Sequence, residues 1–517
     1  MNQNNISAAE LFLRVRELLT HPDLEPKTRN KMMHDTLILC CHEGVKETKQ
    51  AFGNLFSQVD YLCKAHGIKV ADKIAIQTMR RHSNSQEPLS SEDLKYDARA
   101  LTLFISAVFG VDVPHELNVL IPHTNRPYQK GLEINNRRIR CIVKNWDSDF
   151  IRVDIDQDAD EEEYLVQLKD EENHIDHTYL WDILKEGMQL NLLDCQVKQP
   201  IITPRLIVVE PDYLVDISSI ATCFTAFGHH PLLYLLNQMK PRANTQATLL
   251  GNFAGAALDD IINTNGKYQM NETIKTNFRE KALEFCTCPW FDAKKFYTDA
   301  NQQAFNLQQV VDILFPRTAS QAQMSAFRGE SLYDRKKAIL EPSFVCEALG
   351  IQGRVDLMTT DCKLLVEQKS GRNMNIETHQ VDPAYHSYQL EPHYVQLLLY
   401  YGVLQHNFKL SNDRVNIRLL YSKYQPQDGL MVVAYYQKLF KEAIEYRNQL
   451  VAASFEIAKE GFEHALNEFT PDVLNVAGTQ DFFYNKYLKP QIEAITSPLH
   501  SLSPLEEAYF CRMMTFV

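Results

Sequence analysis

The spacing of apolar positions divides the chain into three stretches. Between residue 1 and about 120, AAELFLRVRELL, the segment from Thr36 to Gly67 and DARALTLFISAVFGV repeat apolar residues close to every 3.6 positions, which predicts helices. NSQEPLSSEDL interrupts them with a loop, and Ser90 or Ser91 is the N-cap expected for the next helix. From about 130 to 212 the period falls to two. RRIRCIVKNW, FIRVDID, EEYLVQL, MQLNLLDCQV and PRLIVVE read as five strands, with TYLWDILK as a short helix between the third and fourth. Beyond 212, helical and strand patterns alternate. SIATCFTAFGHHPLLYLLNQM predicts a helical pair broken at Gly228 and Pro231, and LLGNFAGAALDDIIN an amphipathic helix. A helical stretch runs on to about 330, PSFVCEALGIQGRVDLMTTDCKLLVEQKSG reads as a hairpin or meander, and HYVQLLLYYGVLQ and residues 430 to 467 read as helices.

Five strands with a helix between the third and fourth is the order of an OB-fold, a barrel used for single-stranded nucleic acid. On such a barrel Arg138 and Arg140 supply charge, and Trp146 either stacks on a base or fills the interior. The expected organisation is multidomain α/β: a helical N-terminal domain over 1–125, an OB-like β-barrel over 126–212, an α/β core with helical insertions over 213–425, and a helical C-terminal region over 426–517. A length of 517 residues agrees with several cores rather than one.

Composition adds a few bounds. With 45% hydrophobic and 23% charged residues the chain has a globular balance, and it contains no apolar run of membrane-spanning length. The N-terminus lacks a basic segment followed by an apolar one, and the 11 cysteines include no CxxC pair. Both point to reduced thiols in the cytoplasm, away from membranes. The net charge of −13 is concentrated: residues 154–176 hold eleven acidic residues and one Lys, leaving about −3 for everything else. The low overall charge is therefore a weak argument against binding nucleic acid. Asp154, Asp156 and Asp158 alternate as in a calcium loop, but Ala159 replaces the required Gly and Leu165 the bidentate Glu, so a solvated hairpin is expected.

Candidate chemistry lies in Gly353-Arg-Val-Asp356, followed after ten residues by Glu367-Gln-Lys369. Two strands joined by a turn at Thr360-Asp361-Cys362 bring Asp356 beside Glu367 and Lys369, which share a face because side chains alternate along a strand. Hard oxygen ligands of this kind suit Mg²⁺ or Mn²⁺, with the Gln368 carbonyl as a further donor. A surface cluster of ion pairs is the alternative on these three residues alone. In the next helix His393, Gln396 and Tyr400, at i, i+3 and i+7, place three polar groups on one stripe of an otherwise apolar element. Polar groups buried in this way need partners, and an active site provides them.

GRVDLM…LLVEQKSGR followed by HYVQLLLYY resembles the motifs of RecB-like PD-(D/E)XK nucleases, most closely the nuclease domain of nuclease–helicases that trim single-stranded flaps. PDYLVDISSIATCFTAFGHHPLLYLL resembles the segment that opens that domain behind an OB-fold. The resemblance covers roughly 130 to 420, with specific motifs within 353–400. It implies a Mg²⁺- or Mn²⁺-dependent deoxyribonuclease in replication, repair or defence, in which Asp356 and Glu367 bind metal and Lys369 is the catalytic lysine. Gln396 and Tyr400 then support the site and the DNA strand, with Arg354, Arg372 and His393 as further DNA contacts. It also implies a helicase partner, in cis beyond this sequence or in trans, since no G-x-x-x-x-G-K-[ST] is present.

Two departures stand out. The family's first motif, G-x-x-x-H, supplies a metal-binding His, whereas Gly251 is followed by Gly255; Asp259 or Asp260, one turn on, is the candidate substitute. An iron–sulfur cluster needs one upstream and three downstream cysteines. Cys223 fits the first place, but downstream of Tyr400 only Cys511 remains, so no cluster is expected. The missing His leaves a second expectation open: a catalytically silent nuclease fold that binds DNA or a helicase as a scaffold.

Overall fold

The computed structural model describes residues 6–516 apart from 22, 49–50, 53–54, 85–87, 126–135, 156–163, 172, 199, 226–227, 241–243, 265–266, 382–386, 411–413, 477–480, 483 and 500. The middle of the acidic segment, where the calcium-loop pattern falls, lies outside the described residues.

The N-terminal stretch is helical as its period predicts: Ala8–Thr20, Pro26–Gly44, Leu55–Ala65, Val70–Asn84 and Ser91–Phe109 pack around Leu11, Val15, Leu37, Leu101 and Phe104. Ser90 caps the last of these helices by accepting from the Asp93 amide, and Gly110 ends it in a left-handed conformation. Strand β1, Ala51–Phe52, was not anticipated; it leaves this bundle to join the edge of the central sheet.

Residues 136–203 close into a five-stranded barrel made of β2 (Asn136–Trp146), β3 (Phe150–Ile155), β4 (Tyr164–Gln167), β5 (Gln189–Lys198) and β6 (Ile201–Thr203). The order is β2-β3-β4-β6-β5, with β5 returning to β2, and β4 and β6 are the parallel pair. The helix between β4 and β5 is a single 3-10 turn, Thr178–Asp182. One expectation is corrected here: the fifth barrel strand is Ile201–Thr203, while β7 (Leu206–Val209) pairs only with β5 and leaves toward the next domain. All four of its residues are buried because it is covered on both faces, which removes the alternation a barrel strand would show.

The expected helical pair around Gly228 contains a two-residue hairpin, Phe224–Thr225 against Gly228–His229, between two short helices. Two long helices follow: α1 (Gln246–Asn263), capped by Thr245, and α2 (Ala293–Leu314), capped by Asp292. After β8 (Ala338–Leu340) come β9 (Leu357–Thr359) and β10 (Leu364–Lys369), then α3 (Glu391–Phe408) and β11 (Asn416–Tyr421). Strand β12 (Leu430–Val433) and helix α4 (Gln437–Glu460) complete the core. The central sheet runs β1-β12-β11-β10-β9-β8. β10 and β11 are parallel, and α3 is the crossover between them.

Alternation along β10 assigns its two faces. Leu365 packs with Val395, Leu398 and Leu399 of α3, whereas Leu364 and Val366 pack with Leu249, Phe253 and Leu307 of α1 and α2. Of the helical C-terminal region expected over 426–517, residues up to about 460 join the core instead, while Phe462–Glu468, Lys489–Leu499 and Pro504–Phe516 are helices packed in clusters apart from it. β12 belongs to the sheet, and Leu439, Ala443, Ile444 and Val451 of α4 belong to the same core as α3.

Candidate active site

The hairpin β9–β10 pairs Leu357 with Val366 and Met358 with Leu365, which fixes Asp356 opposite the end of β10. The Asp356 Oδ2 accepts from the Gln368 amide at 2.6 Å. In a strand the N–H and C=O of one residue leave on the same side, so the Gln368 carbonyl also faces Asp356. Glu367 and Lys369 lie on the α3 face, with Lys369 Nζ 2.8 Å from Glu367 Oε1 and 2.9 Å from Gln396 Oε1. The expected trio therefore converges, and Gln396 joins it. The Gln368 side chain points to the opposite face, donating to Ser422, which in turn donates to Gln303 of α2.

The stripe on α3 divides. Tyr400 donates to the Arg354 carbonyl at 2.6 Å, and its ring passes so close to Gly353 that a Cβ there would stand 2.9 Å from the ring. This contact explains the glycine of the G-R-V-D segment. His393 faces Tyr421 instead of the carboxylates, at 3.1 Å, and burial followed by the Lys369 charge holds its pKa down at about 3. Burial therefore favours its neutral form.

Electrostatically the site is unbalanced toward negative charge. Glu367 is 2% exposed, and its Oε2 is buried without a hydrogen-bond partner among the described residues. Burial, then repulsion from Asp356, push its pKa up to about 8 against the pull of Lys369. Asp356 is raised too, by burial first. Gly251, Gly255 and Asp259 share one face of α1, at i, i+4 and i+8. That face approaches the end of β10: a Cβ on Gly251 would stand 3.1 Å from Ser370 Oγ, while one on Gly255 would meet nothing within 4 Å. Asp259 has its pKa raised to about 7, by burial and then by Glu341, Asp260 and Asp356. Asp260 points away and accepts from Thr273, so of the two candidates Asp259 is the one directed to the site.

Glu341 was not singled out in the sequence. It holds a left-handed backbone (φ 48°), its amide donates to the Asp356 carbonyl at 3.0 Å, and its carboxylate pairs with Arg354 at 3.0 Å. A lone Glu in LEPS carries no periodic signal; only the turn after β8 brings it to Asp356. Arg354 is thus occupied at the rim, and Arg372 is paired with Glu377. Arg140 binds Asp212 and Gln189, and Arg138 lies 3.8 Å from Glu347, which places both at the seam between barrel and core. Trp146 packs against the barrel core.

Among the described residues no three His, Cys, Asp or Glu side chains converge closely enough to hold an ion by themselves. The donor set here is two carboxylates and a main-chain carbonyl, with Asp259 and Glu341 alongside. A buried carboxylate oxygen without a donor costs roughly 1–3 kcal/mol or more, and an oxygen-seeking cation is the partner that would remove that cost.

No protein-family model matches the chain, and none of the curated proteins matches it.

Proposed function

We propose that this chain is a divalent-metal-dependent deoxyribonuclease of the PD-(D/E)XK type, acting on single-stranded ends or flaps. One observation carries the reading: Glu367 is buried with an unpartnered oxygen, beside a second buried carboxylate and a lysine whose other contact is a glutamine. Its one donor is Lys369, on Oε1, which leaves the second oxygen open to a cation. Asp356, Glu367 and the Gln368 carbonyl would hold Mg²⁺ or Mn²⁺, which supplies neutralisation of phosphate charge and a more acidic bound water. Gln396 orients the Lys369 ammonium, a compact cation suited to the charge that develops on a phosphate oxygen in the transition state. Asp356 is held in place by the Gln368 amide, and Tyr400 braces the Gly353–Arg354 strand from which Asp356 hangs.

The barrel supports a substrate with unpaired bases, since a β2-β3-β4-β6-β5 order with a parallel β4–β6 pair is that of an OB-fold. A helicase, in cis or in trans, is the proposed source of that strand. The test is cleavage of a 5′-labelled flap with Mg²⁺ or Mn²⁺ by the parent chain, Glu367→Ala and Lys369→Ala. The reading fails if both variants cut as fast as the parent.

A specific observation favours a second reading. The open space at Gly255 stands where the resembling family places a metal-binding His, as expected of a silent scaffold that binds DNA or a helicase. Titration with Mn²⁺ separates the two. A scaffold shows no affinity that depends on Asp356 and Glu367.

A further inference from the structure

The turn that leads into α2 carries three costs within six residues, 290–295. Trp290 is 98% exposed, forgoing the burial that makes tryptophan an interior or interface residue. Its backbone is left-handed (φ 57°), a conformation that bulky side chains seldom adopt. Lys294 and Lys295, both exposed, occupy the first turn of α2, where the helix dipole disfavours cations. The turn is nonetheless firmly seated. Phe291 packs into a cluster with Phe285 and Phe296 at centroid separations of 5.3 and 5.5 Å, and the Asp292 amide donates to Gln246 at 2.8 Å. Trp290 is thus displayed by a rigid base.

That base is anchored to the carboxylate site by both long helices. Gly251 of α1 lies so close to Ser370, which directly follows Lys369, that a Cβ there would stand 3.1 Å from its Oγ, and Gln303 of α2 donates to the Ser370 carbonyl at 3.1 Å. At ~1.5 Å per helical residue, the path from Gln246 to Gly251 is about 7.5 Å and that from Lys294 to Gln303 about 13.5 Å, which places the turn on the order of 10 Å from Ser370. This is the span of about three stacked nucleotides at ~3.4 Å each.

We infer that Trp290 is a stacking post for a single-stranded nucleic acid, with Lys294 and Lys295 at its phosphates, on the path to the carboxylate site. An exposed aromatic plane offers every base the same face, and neighbouring ammonium groups follow the backbone, so recognition is independent of sequence and selective for unpaired strands. The inference rests on the nuclease reading of Asp356, Glu367 and Lys369 and adds to it where the strand is held.

The experiment uses the full chain and the oligonucleotide dT20, with a blunt duplex as control. Trp290→Ala is expected to weaken dT20 binding about tenfold or more, Trp290→Phe to keep most of the affinity, and duplex binding to stay within about twofold. Tryptophan emission of the parent is expected to be quenched by dT20, and that quenching to disappear in Trp290→Phe. Replacing Lys294 and Lys295 by Ala should flatten the slope of log K against log salt by about 1.4. If Trp290→Ala binds dT20 like the parent while Glu367→Ala abolishes metal-dependent cleavage, the post is wrong and the nuclease reading stands. If the parent neither binds dT20 nor cleaves, both are overturned. If Trp290→Ala instead turns a dimer into a monomer with unchanged dT20 affinity, the tryptophan belongs to a protein contact and the inference fails.

Discussion

Two buried charged groups in this chain are treated in opposite ways. Arg447 of α4 is fully buried at the seam between barrel and core, with no ion-pair partner among the described residues, yet every direction of its guanidinium is used. It donates to the carbonyls of Gly350, Val209, Glu210 and Tyr213, and the adjacent Asn448 accepts from the Val209 amide and donates to Ile207. Glu367, almost as buried, is left with an empty oxygen beside another carboxylate. Arg447 is saturated with partners, and a buried polar group left alone is costly. On the proposed reading, the incomplete set at Glu367 is where a divalent cation binds. Arg447 explains how the barrel is held against the core; the proposed function rests on Glu367.

The sharpest way to break this contrast is at the carboxylates. Glu367→Ala or Lys369→Ala is expected to lower Mg²⁺- or Mn²⁺-dependent cleavage by at least about 10²–10³-fold, with no fall in the urea midpoint of the metal-free protein. A parallel loss of stability would make Glu367 a structural residue like Arg447. At the seam the outcome should reverse. Arg447→Ala should cost about 3–5 kcal/mol in urea unfolding, because the carbonyls of the seam lose their donors. Cleavage per folded molecule should be unchanged.

A third prediction follows from the direction of the Glu367 shift. Its pKa in the folded state, about 8, lies above the ordinary carboxylate value, so the folded protein holds a proton the unfolded chain has released. Metal-free stability should therefore fall as pH rises from about 5 to 8. Glu367→Gln should remove that slope, gaining roughly 2–4 kcal/mol at pH 9 and little at pH 5. Equal gains at both pH values would show that the carboxylate is not strained.

His229 gives a smaller pH effect in the same direction, through attraction to its partners rather than through strain. Burial lowers its pKa, but Glu391 at 2.9 Å and Glu442 on its other nitrogen more than reverse this, to about 9. Its contribution is complete below about pH 6.5 and is lost as pH rises through 9. His229→Gln should cost about 1–2 kcal/mol at pH 6 and almost nothing at pH 10. The smallest expected effect separates neighbours on α1: Asp259→Asn should weaken Mn²⁺ binding severalfold, whereas Asp260→Asn, facing Thr273, should leave it within about twofold.

Much of the site was legible because it is local. Asp356, Glu367 and Lys369 lie on one hairpin, where a period of two and one turn are enough to bring them together. Gln396 and Tyr400 lie on one helix, and a 3.6 period puts them on one stripe. Their helix, the barrel strands β2 to β5 and the N-terminal helices were legible for the same reason.

What the sequence determined by itself, then, is the set of elements whose faces are written in a regular period, and the residues carried on them. The tertiary structure decided the rest. It put β1 from the N-terminal bundle on the sheet edge and drew β12 and α4 into the core. Asp259 was turned toward Asp356 and Asp260 away from it, and Glu341 was placed beside both. None of these has a periodic signal, because each depends on contacts between residues far apart in the chain. The empty oxygen of Glu367 is the same kind of fact: it exists only because the strands and helices around it exclude water, and no local pattern records that.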